Sequence, residues 1–279
     1  MRNKTLLSKS GTITDLSVNL DRYRSGNETI NITTDDYLYF GQFYPFNSLY
    51  FVVQTANDEA ANPTIEIWDS NGWVEAVEIV DETNSGGVPL AQSGHIMFVP
   101  NRYNRWAYED TVNQSGTERV TGLGNVTIYD RYWMRLSFSA NIKTTTALSF
   151  VGTKFSNDDD LMAEHSVLLD SDFLESWESG KTSWEEQHVV AASLIIDEMI
   201  KKNFIAYPGQ IIDRFTMKNL AIPRTAAVIY AGLKMWDEYN SAIGEFNKRL
   251  KGDIFNIDKN KNAIMEHSES GIVQGGLYR

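Results

Sequence analysis

Hydrophobic residues follow two different periods in two parts of the chain. From residue 30 to 156, short runs rich in Val, Ile, Tyr, Phe and Trp alternate with Gly, Asn, Asp and Pro, which is typical of β-strands joined by turns. From residue 157 to 251, apolar residues recur at steps of three and four, which is typical of amphipathic helices. We therefore predict an α+β chain, with an N-terminal antiparallel β-sandwich or barrel followed by a C-terminal α-helical bundle. Residues 1–29 are predicted to form an arm or an edge strand, and residues 252–279 an extended tail.

The β part contains one clear hairpin signal. Residues 69–72 (DSNG) separate two runs that contain tryptophan, and Asn-Gly accepts the positive φ angles of a tight turn. The strands predicted around it cover residues 37–44, 49–55, 64–68, 73–80, 95–99, 125–129, 132–140 and 147–155.

The clearest helical pattern covers residues 222–250. Pro223 suits the first turn of a helix, where its missing N–H would have no partner, and Lys248 and Arg249 suit the negative C-terminal end. We expect one helix about 40 Å long, with an apolar face that packs in a bundle or against other subunits. The residues of this face are Ile229, Leu233, Trp236, Ile243, Phe246 and Leu250.

Two other segments carry helix-start signals. Residues 156–160 (SNDDD) place polar and acidic side chains before an apolar run, so we expect them to cap a helix. Residues 183–186 (SWEE) match a capping box and precede an apolar stripe that ends near Asn203. A short helix is predicted from residue 210 to 219, before the long one.

Composition and charge exclude several classes of protein. The chain has no cysteine, which excludes disulfides and thiolate metal sites, and its net charge of −12 argues against a basic groove for nucleic acid. The first residues lack the apolar core of a secretion signal, and no apolar run is long enough to span a membrane. We expect synthesis in a cytoplasm and no membrane insertion.

Residues with catalytic potential form no recognisable motif. His95, His165, His188 and His267 show no close spacing, and solvated surface positions are predicted for them. The glycine pairs at 86–87 and 122–124 lack the lysine of a phosphate-binding loop. We predict no enzyme, no catalytic residue and no cofactor.

The C-terminal segment contains one weak metal signal. Asp258, Asn260, Asn262 and Glu269 have the spacing of calcium-loop ligands. The sixth position is Ala263 instead of glycine, which disfavours the sharp turn of such a loop. A polar turn without metal is therefore the preferred interpretation.

Aromatic and arginine residues of the β part admit two interpretations. The tryptophans could line a sugar-binding face, or they could build the core or a protein interface. Alternation along residues 131–136 places Arg131 and Arg135 on one strand face, as candidates for pairing with acidic residues of another subunit. The four tryptophans are Trp68, Trp73, Trp106 and Trp133.

The helical part from about residue 156 onwards resembles the head-to-tail connector (adaptor) proteins of tailed bacteriophages. The segments that carry this resemblance are residues 155–161 (FSNDDDL), 183–188 (SWEEQH), 226–230 (AAVIY) and the polar tail after Arg249. The β part is similar to the β domain added in some phage neck and tail-adaptor proteins. Its matching segments are residues 39–42 (YFGQ), 45–47 (PFN), 50–51 (YF) and 68–73 (WDSNGW).

The resemblance implies a structural protein of the virion neck. Such proteins form a homo-oligomeric ring, often a dodecamer, that sits on the portal protein, meets a tail or nozzle protein and lets genome DNA pass through its lumen. Their C-terminal tails dock onto the portal, and the matching anchors here are Phe255, Ile257, Ile264, Ile272, Val273, Leu277 and Tyr278. The alternative is a carbohydrate-binding or adhesion module of a virion or cell surface.

Overall fold

The computed structural model describes residues 3–23, 26–99, 105–206, 208–211, 214–252, 254–255 and 272–273. These residues combine antiparallel β-sheets with α-helices, so the predicted α+β class is confirmed. The chain divides into two compact units, one ending at Gly152 and the other beginning at Thr153.

The regular secondary structure of the first unit is almost entirely β-strand. In chain order its elements are β1 (Lys4–Lys9), β2 (Thr12–Asp15), α1 (Ser17–Leu20), β3 (Glu28–Thr29), β4 (Tyr37–Gln42), β5 (Ser48–Thr55), β6 (Pro63–Trp68), β7 (Trp73–Glu75), β8 (Val77–Asp81), β9 (Gly94–Val99), β10 (Tyr108–Glu109), β11 (Arg131–Phe138) and β12 (Ala147–Gly152). A seven-stranded sheet has the order β2-β1-β4-β11-β6-β7, with β10 paired to β11, and a five-stranded sheet has the order β3-β12-β5-β9-β8.

The N-terminal segment contributes two of these strands. β1 pairs with β2 on one side and with β4 on the other, so β1 is an interior strand and β2 lies at the edge of the sheet. Leu6 and Leu7 of β1 are buried. The polar residues around β1 concealed this strand in the sequence, since burial of two leucines is decided by the neighbouring strands.

Two of the predicted strands are wrong in detail. The run 73–80 is divided at the buried Ala76, because β7 pairs with β6 in the larger sheet while β8 pairs with β9 in the smaller one. The run 125–129 forms no strand. There the Thr111 hydroxyl accepts a hydrogen bond from the Ile128 amide and donates to the Val126 carbonyl, and the Thr111 amide donates to the Ile128 carbonyl. A single residue thus takes the place of a strand partner.

The hairpin predicted at residues 69–72 is confirmed. Trp68 lies opposite Trp73 in the β6–β7 register, and the Asp69 carboxylate accepts hydrogen bonds from the amides of Asn71 and Gly72. The positive φ angle falls on Ser70, at 78°, and not on Asn71 as the Asn-Gly pattern suggests.

The main core of this unit holds apolar side chains from both sheets. Leu38, Phe40, Ile65 and Leu136 come from the larger sheet, and Phe51, Ile96, Leu148 and Val151 come from the smaller one. A second cluster surrounds the fully buried Trp133 with Leu6, Tyr39, Trp68, Val120 and Leu123.

The second unit is mainly helical. Its α-helices are α2 (Asp158–His165), α3 (Ser171–Trp177), α4 (Glu185–Lys201), α5 (Arg214–Gly232) and α6 (Trp236–Gly252), with short 3₁₀ turns at Ser166–Leu169 and Pro208–Gln210. Two short strands, β13 (Ile254–Phe255) and β14 (Ile272–Val273), pair in antiparallel fashion.

The single helix predicted over residues 222–250 is wrong. α5 ends at Gly232 and α6 starts at Trp236, because Lys234 adopts a left-handed φ of 62°. The Met235 amide donates to the Tyr230 carbonyl and the Lys234 amide to the Ala231 carbonyl, which is the hydrogen-bond pattern of a Schellman motif. The short helix predicted at 210–219 is also wrong, since residues from Arg214 onwards belong to α5, which continues through Pro223.

The two helix-start predictions have different outcomes. Asn157 caps α2 in a capping box with Asp160, as the acidic segment indicates. The capping box at residues 183–186 is wrong, because Trp184 occupies the cap position, without a side-chain cap, and the Ser183 hydroxyl accepts from the Glu185 amide. α4 then ends beside Asn203, whose φ is 59°.

Candidate functional site

A buried polar network connects the start of α2 to α4 and α5. Ser156 Oγ lies 2.8 Å from His188 Nδ1, and Thr225 Oγ1 lies 3.3 Å from the same nitrogen. The other ring nitrogen, Nε2, lies 3.1 Å from an Asp158 carboxylate oxygen. Since a carboxylate can only accept, the Nε2 atom carries the proton of that bond. The network therefore holds three chain segments together through one imidazole.

Asp158 is stabilised in its charged form. Burial by itself raises the pKa of this carboxyl, but hydrogen bonds from His188, from Ser183 and from the Trp184 amide outweigh that effect, and the pKa lies below its usual value. Asp158 also lies in the first turn of α2, where the helix dipole favours negative charge. The carboxylate thus acts as an anchor for α4 at all but acidic pH.

A buried ion pair lies beside this network. Lys154 Nζ is 2.8 Å from both carboxylate oxygens of Glu185, and the Lys154 side chain is almost fully buried. Burial lowers the pKa of Lys154, and the attraction of Glu185 and Asp158 offsets only part of that effect. The pair therefore fixes the first residue of α4 to the segment before α2, at a desolvation cost.

The combination of serine, histidine and aspartate resembles a hydrolase triad in residue type only. Ser156 is 3% exposed and His188 is 0% exposed, so a substrate cannot reach the hydroxyl in this conformation. The arrangement is suited to tying helices together. The expectation of solvated histidines is wrong for His188 and for His95, which are both buried. The missed signal was spacing, because His188, Ala192 and Ile195 recur along one face of α4.

Residues of the predicted packing face mostly lie inside their own unit. Ile229, Phe246 and Leu250 are buried in its two hydrophobic clusters, and Leu233 and Ile243 pack against one of them. Trp236 is different. This residue is 59% exposed, and its ring makes an edge contact with the Tyr239 ring at a centroid distance of 5.9 Å.

Other large apolar side chains of the helical unit are also exposed. They are Met162 on α2, Val167 on the 3₁₀ turn that follows, and Val190 on α4. Exposed apolar groups of this kind are the surface of the unit that could enter contacts with other chains.

The predicted docking tail is described only at its two strands. Phe255 lies opposite Ile272, and Val273 lies opposite Ile254, in the β13–β14 ladder. The predicted anchors Ile257, Ile264, Leu277 and Tyr278 lie outside the described residues, as do the weak calcium candidates Asp258, Asn260, Asn262 and Glu269. Within the described part of the chain, no group of three or more His, Asp or Glu side chains is placed to hold a metal ion.

The aromatic and arginine residues of the β unit are used mainly within the unit. Trp68, Trp106 and Trp133 are buried, and Trp73 is half-buried. The interpretation of Arg135 as a partner for another subunit is wrong, because its guanidinium makes two hydrogen bonds, of 2.5 and 2.9 Å, to Glu66 on the neighbouring strand. Cross-strand pairing of this kind satisfies the arginine inside its own sheet.

Comparisons with known proteins identify no family. No protein-family model matches the chain, and no curated protein matches it. One solved structure is similar over 89% of this chain and 39% of its own: the structure of CBM51-2 in complex with GlcNAc and INT domains from Clostridium perfringens ZmpB, at 9% sequence identity and a TM-score of 0.19. The present chain thus spans about two fifths of that one. Among the described residues, no helix is long and apolar enough to cross a membrane.

Proposed function

We propose that this chain is a structural virion protein of the phage neck, a ring adaptor that joins the capsid portal to the tail and lets DNA pass. The sequence resemblance of the helical part to head-to-tail connectors suggests this role. The structural observation that supports it is Trp236, whose indole is exposed although the rest of its apolar stripe is buried or half-buried in the same unit. Tryptophan is enriched at the centres of protein interfaces.

The finer architecture belongs to the same proposal. The two sheets of the first unit form a sandwich, since both send apolar side chains into one core cluster. The helices of the second unit form the bundle of the ring wall. α5 packs with both α4 and α6, which is consistent with a bundle.

In the proposed ring, each protomer repeats one heterologous contact around a closed circle, as a dodecamer. Such a ring needs two complementary faces on each subunit and no chemistry. Trp236 lies on one of those faces. The partners along the axis are the portal protein, reached by the C-terminal tail, and a tail or nozzle protein.

The charge of the chain suits this role. Its net charge of −12 disfavours binding to a polyanion, so DNA that crosses the lumen would not adhere to the wall. The buried Ser156–His188–Asp158 network has a structural role in this proposal, and the protein has no enzymatic activity and needs no cofactor.

The oligomeric state of the full-length protein tests the proposal. Light scattering after size-exclusion chromatography, alone and with the portal protein of the same virion, should show a closed multimer. Trp236→Ala should reduce assembly while leaving the thermal unfolding of the protomer unchanged. As a matched control, Val80→Ala removes an exposed apolar side chain from the β unit and should assemble normally. A wild-type protein that stays monomeric in the presence of portal contradicts the proposal.

The tail makes a separate prediction within the same proposal. Deletion of residues 253–279 should leave a folded protein that no longer joins the portal. Unchanged assembly of the truncated protein would contradict the docking role of the tail and leave the role of Trp236 intact.

A further inference from the structure

A surface groove lies in the β unit, beside the first two strands. Its volume is about 590 Å³, within the size range of small-molecule sites. Its walls come from β1, β2, the residue after β4 and the segment 126–131. The side chains that matter for its chemistry are Lys4, Asp15, Phe43, Tyr129, Asp130 and Arg131.

Two aromatic rings stand in this groove with accessible surface. Tyr129 is 64% exposed and Phe43 is 36% exposed, which is unusual for side chains of this size. Exposed rings beside polar groups are a common feature of sites that bind the flat, partly apolar faces of small polar ligands. These rings therefore distinguish the groove from the buried tryptophans of the same unit.

The corner that carries Tyr129 is held in place. Asp130 adopts a φ of 56°, and its amide donates to the Asp110 carboxylate at 2.8 Å. Arg131 Nη1 donates to the carbonyls of Tyr129 and Asp130, at 3.0 and 2.9 Å. The tyrosine ring thus stands on a fixed backbone, so binding would cost little ordering entropy.

Arg131 places a positive charge in the groove. Its guanidinium carbon lies 3.5 Å from the centroid of the Phe43 ring, and its Nε atom is buried without a hydrogen-bond partner among the described residues. Within the same residues, no carboxylate lies within ion-pair distance of it. Since Nε is covered and Nη1 bonds the backbone, the Nη2 amino group is the part of the guanidinium left to donate to a ligand.

The charges along the groove are balanced. Lys4 pairs with Asp15 at 2.6 Å, and Arg131 follows Asp130 in the chain. Two cations and two carboxylates favour a neutral ligand over an anion, and the overall charge of −12 acts in the same direction. A purely apolar ligand would cover these charged groups without satisfying them. The groove offers donors, acceptors and aromatic surface together.

We propose that this groove binds a neutral saccharide. Tyr129 supplies the ring surface on which a sugar packs, and the accessible part of Phe43 gives a second apolar contact. Arg131, Asp15 and Lys4 exchange hydrogen bonds with the sugar hydroxyl groups. This property goes beyond the proposed mechanical function, and neither depends on the other. It places the glycan contact on residues other than the four tryptophans that the sequence singled out.

A printed glycan array probed with the full-length protein tests this inference. We expect neutral glycans to be retained in preference to acidic ones. Calorimetric titration with the best neutral glycan should then show binding about tenfold weaker for Tyr129→Ala, because one ring contact is removed, with a similar loss for Phe43→Ala. Val80→Ala, which truncates an exposed apolar residue on the five-stranded sheet, should bind like the wild type.

Each alternative outcome overturns the inference. Retention of no glycan at all, or of acidic glycans alone, contradicts the charge argument. Equal affinity of the wild type and the Tyr129→Ala variant places the bound sugar elsewhere. Thermal unfolding of each variant verifies that a loss of binding is not a loss of fold.

Discussion

Arg249 Nη1 donates a 2.8 Å hydrogen bond to the backbone carbonyl of Asn219, on a different helix. Asn219 lies four residues before Pro223, which has no N–H, so this carbonyl lacks its normal partner within α5. The same guanidinium pairs with Glu164 on α2 and with Glu245 on α6. The hydrogen bond to Glu164 is the main reason that the pKa of Arg249 lies above its usual value. Arg249 thus compensates for a proline inside a helix.

We predict that Arg249→Met lowers the free energy of unfolding by about 2 kcal/mol, since three partners lose a charged donor. In a Pro223→Ala background, the new backbone N–H restores the helical partner of the Asn219 carbonyl, and the loss should be about 1 kcal/mol smaller. Urea titrations of the four proteins, followed by far-UV circular dichroism, measure this coupling. Lys248→Met, at a highly exposed neighbouring position, is the control and should change the free energy of unfolding little. If Arg249→Met lowers the free energy of unfolding equally in the wild-type and Pro223→Ala proteins, Arg249 does not compensate for the proline.

Gly41 lies opposite Trp133 in the β4–β11 register. A Cβ atom at Gly41 would lie 2.7 Å from Trp133 Cζ3, and Trp133 is fully buried and cannot move aside. Gly41→Ala should therefore destabilise the protein by about 1–3 kcal/mol. Gly244→Ala is the matched control, because its added methyl group would lie within 4 Å of no atom outside its own stretch of helix, and alanine favours helix α6. The midpoint temperature of thermal unfolding should fall for Gly41→Ala and rise for Gly244→Ala. A Gly41→Ala protein as stable as the wild type would argue against this packing.

The Lys154–Glu185 pair should respond differently to loss of each partner. Glu185→Gln leaves a buried ammonium without its carboxylate, and we expect it to lower the free energy of unfolding by about 2–3 kcal/mol. Lys154→Met removes the buried charge itself and leaves Glu185 partly exposed, so its effect should stay within about 1 kcal/mol. Chemical denaturation at neutral pH measures both. A larger loss for Lys154→Met would show that the ion pair outweighs its desolvation cost.

Asp158 should make the helical unit sensitive to acid. Because its folded pKa lies below the unfolded value of about 3.9, the stabilisation is present above that pH and is lost as the pH falls through the folded pKa. Asp158→Asn keeps the acceptor for His188 and removes the charge. Between neutral pH and about pH 3, we expect the free energy of unfolding to fall less for Asp158→Asn than for the wild type.

Urea titrations across that pH range measure this difference. Ser183→Ala removes one hydrogen-bond donor to Asp158. It should also reduce the acid-induced loss of unfolding free energy, by less than Asp158→Asn does. Parallel pH profiles of the wild type and the Asp158→Asn variant would show that the carboxylate contributes nothing.

The sequence by itself determined features that depend on neighbours in the chain. The change from strand to helix follows the hydrophobic period, the Asn157 cap bonds a residue three positions away, and the Trp68–Trp73 hairpin closes over four residues. Part of the buried polar network could be predicted in the same way, since the spacing of His188 matches the buried face of α4. Caps and tight turns form between residues that are close in sequence, so they do not depend on how distant segments pack.

Only the tertiary structure decided the contacts between distant segments. His188 meets Ser156 and Thr225, which lie 32 and 37 residues away, and Arg249 reaches Asn219 across 30 residues. The division of residues 222–250 into two helices depends on Lys234 taking a left-handed conformation that the sequence gives no reason to expect. The hydrogen bonds of the Schellman motif and the packing of α6 against α5 offset that local cost, and the energy of such packing is set by the assembled fold.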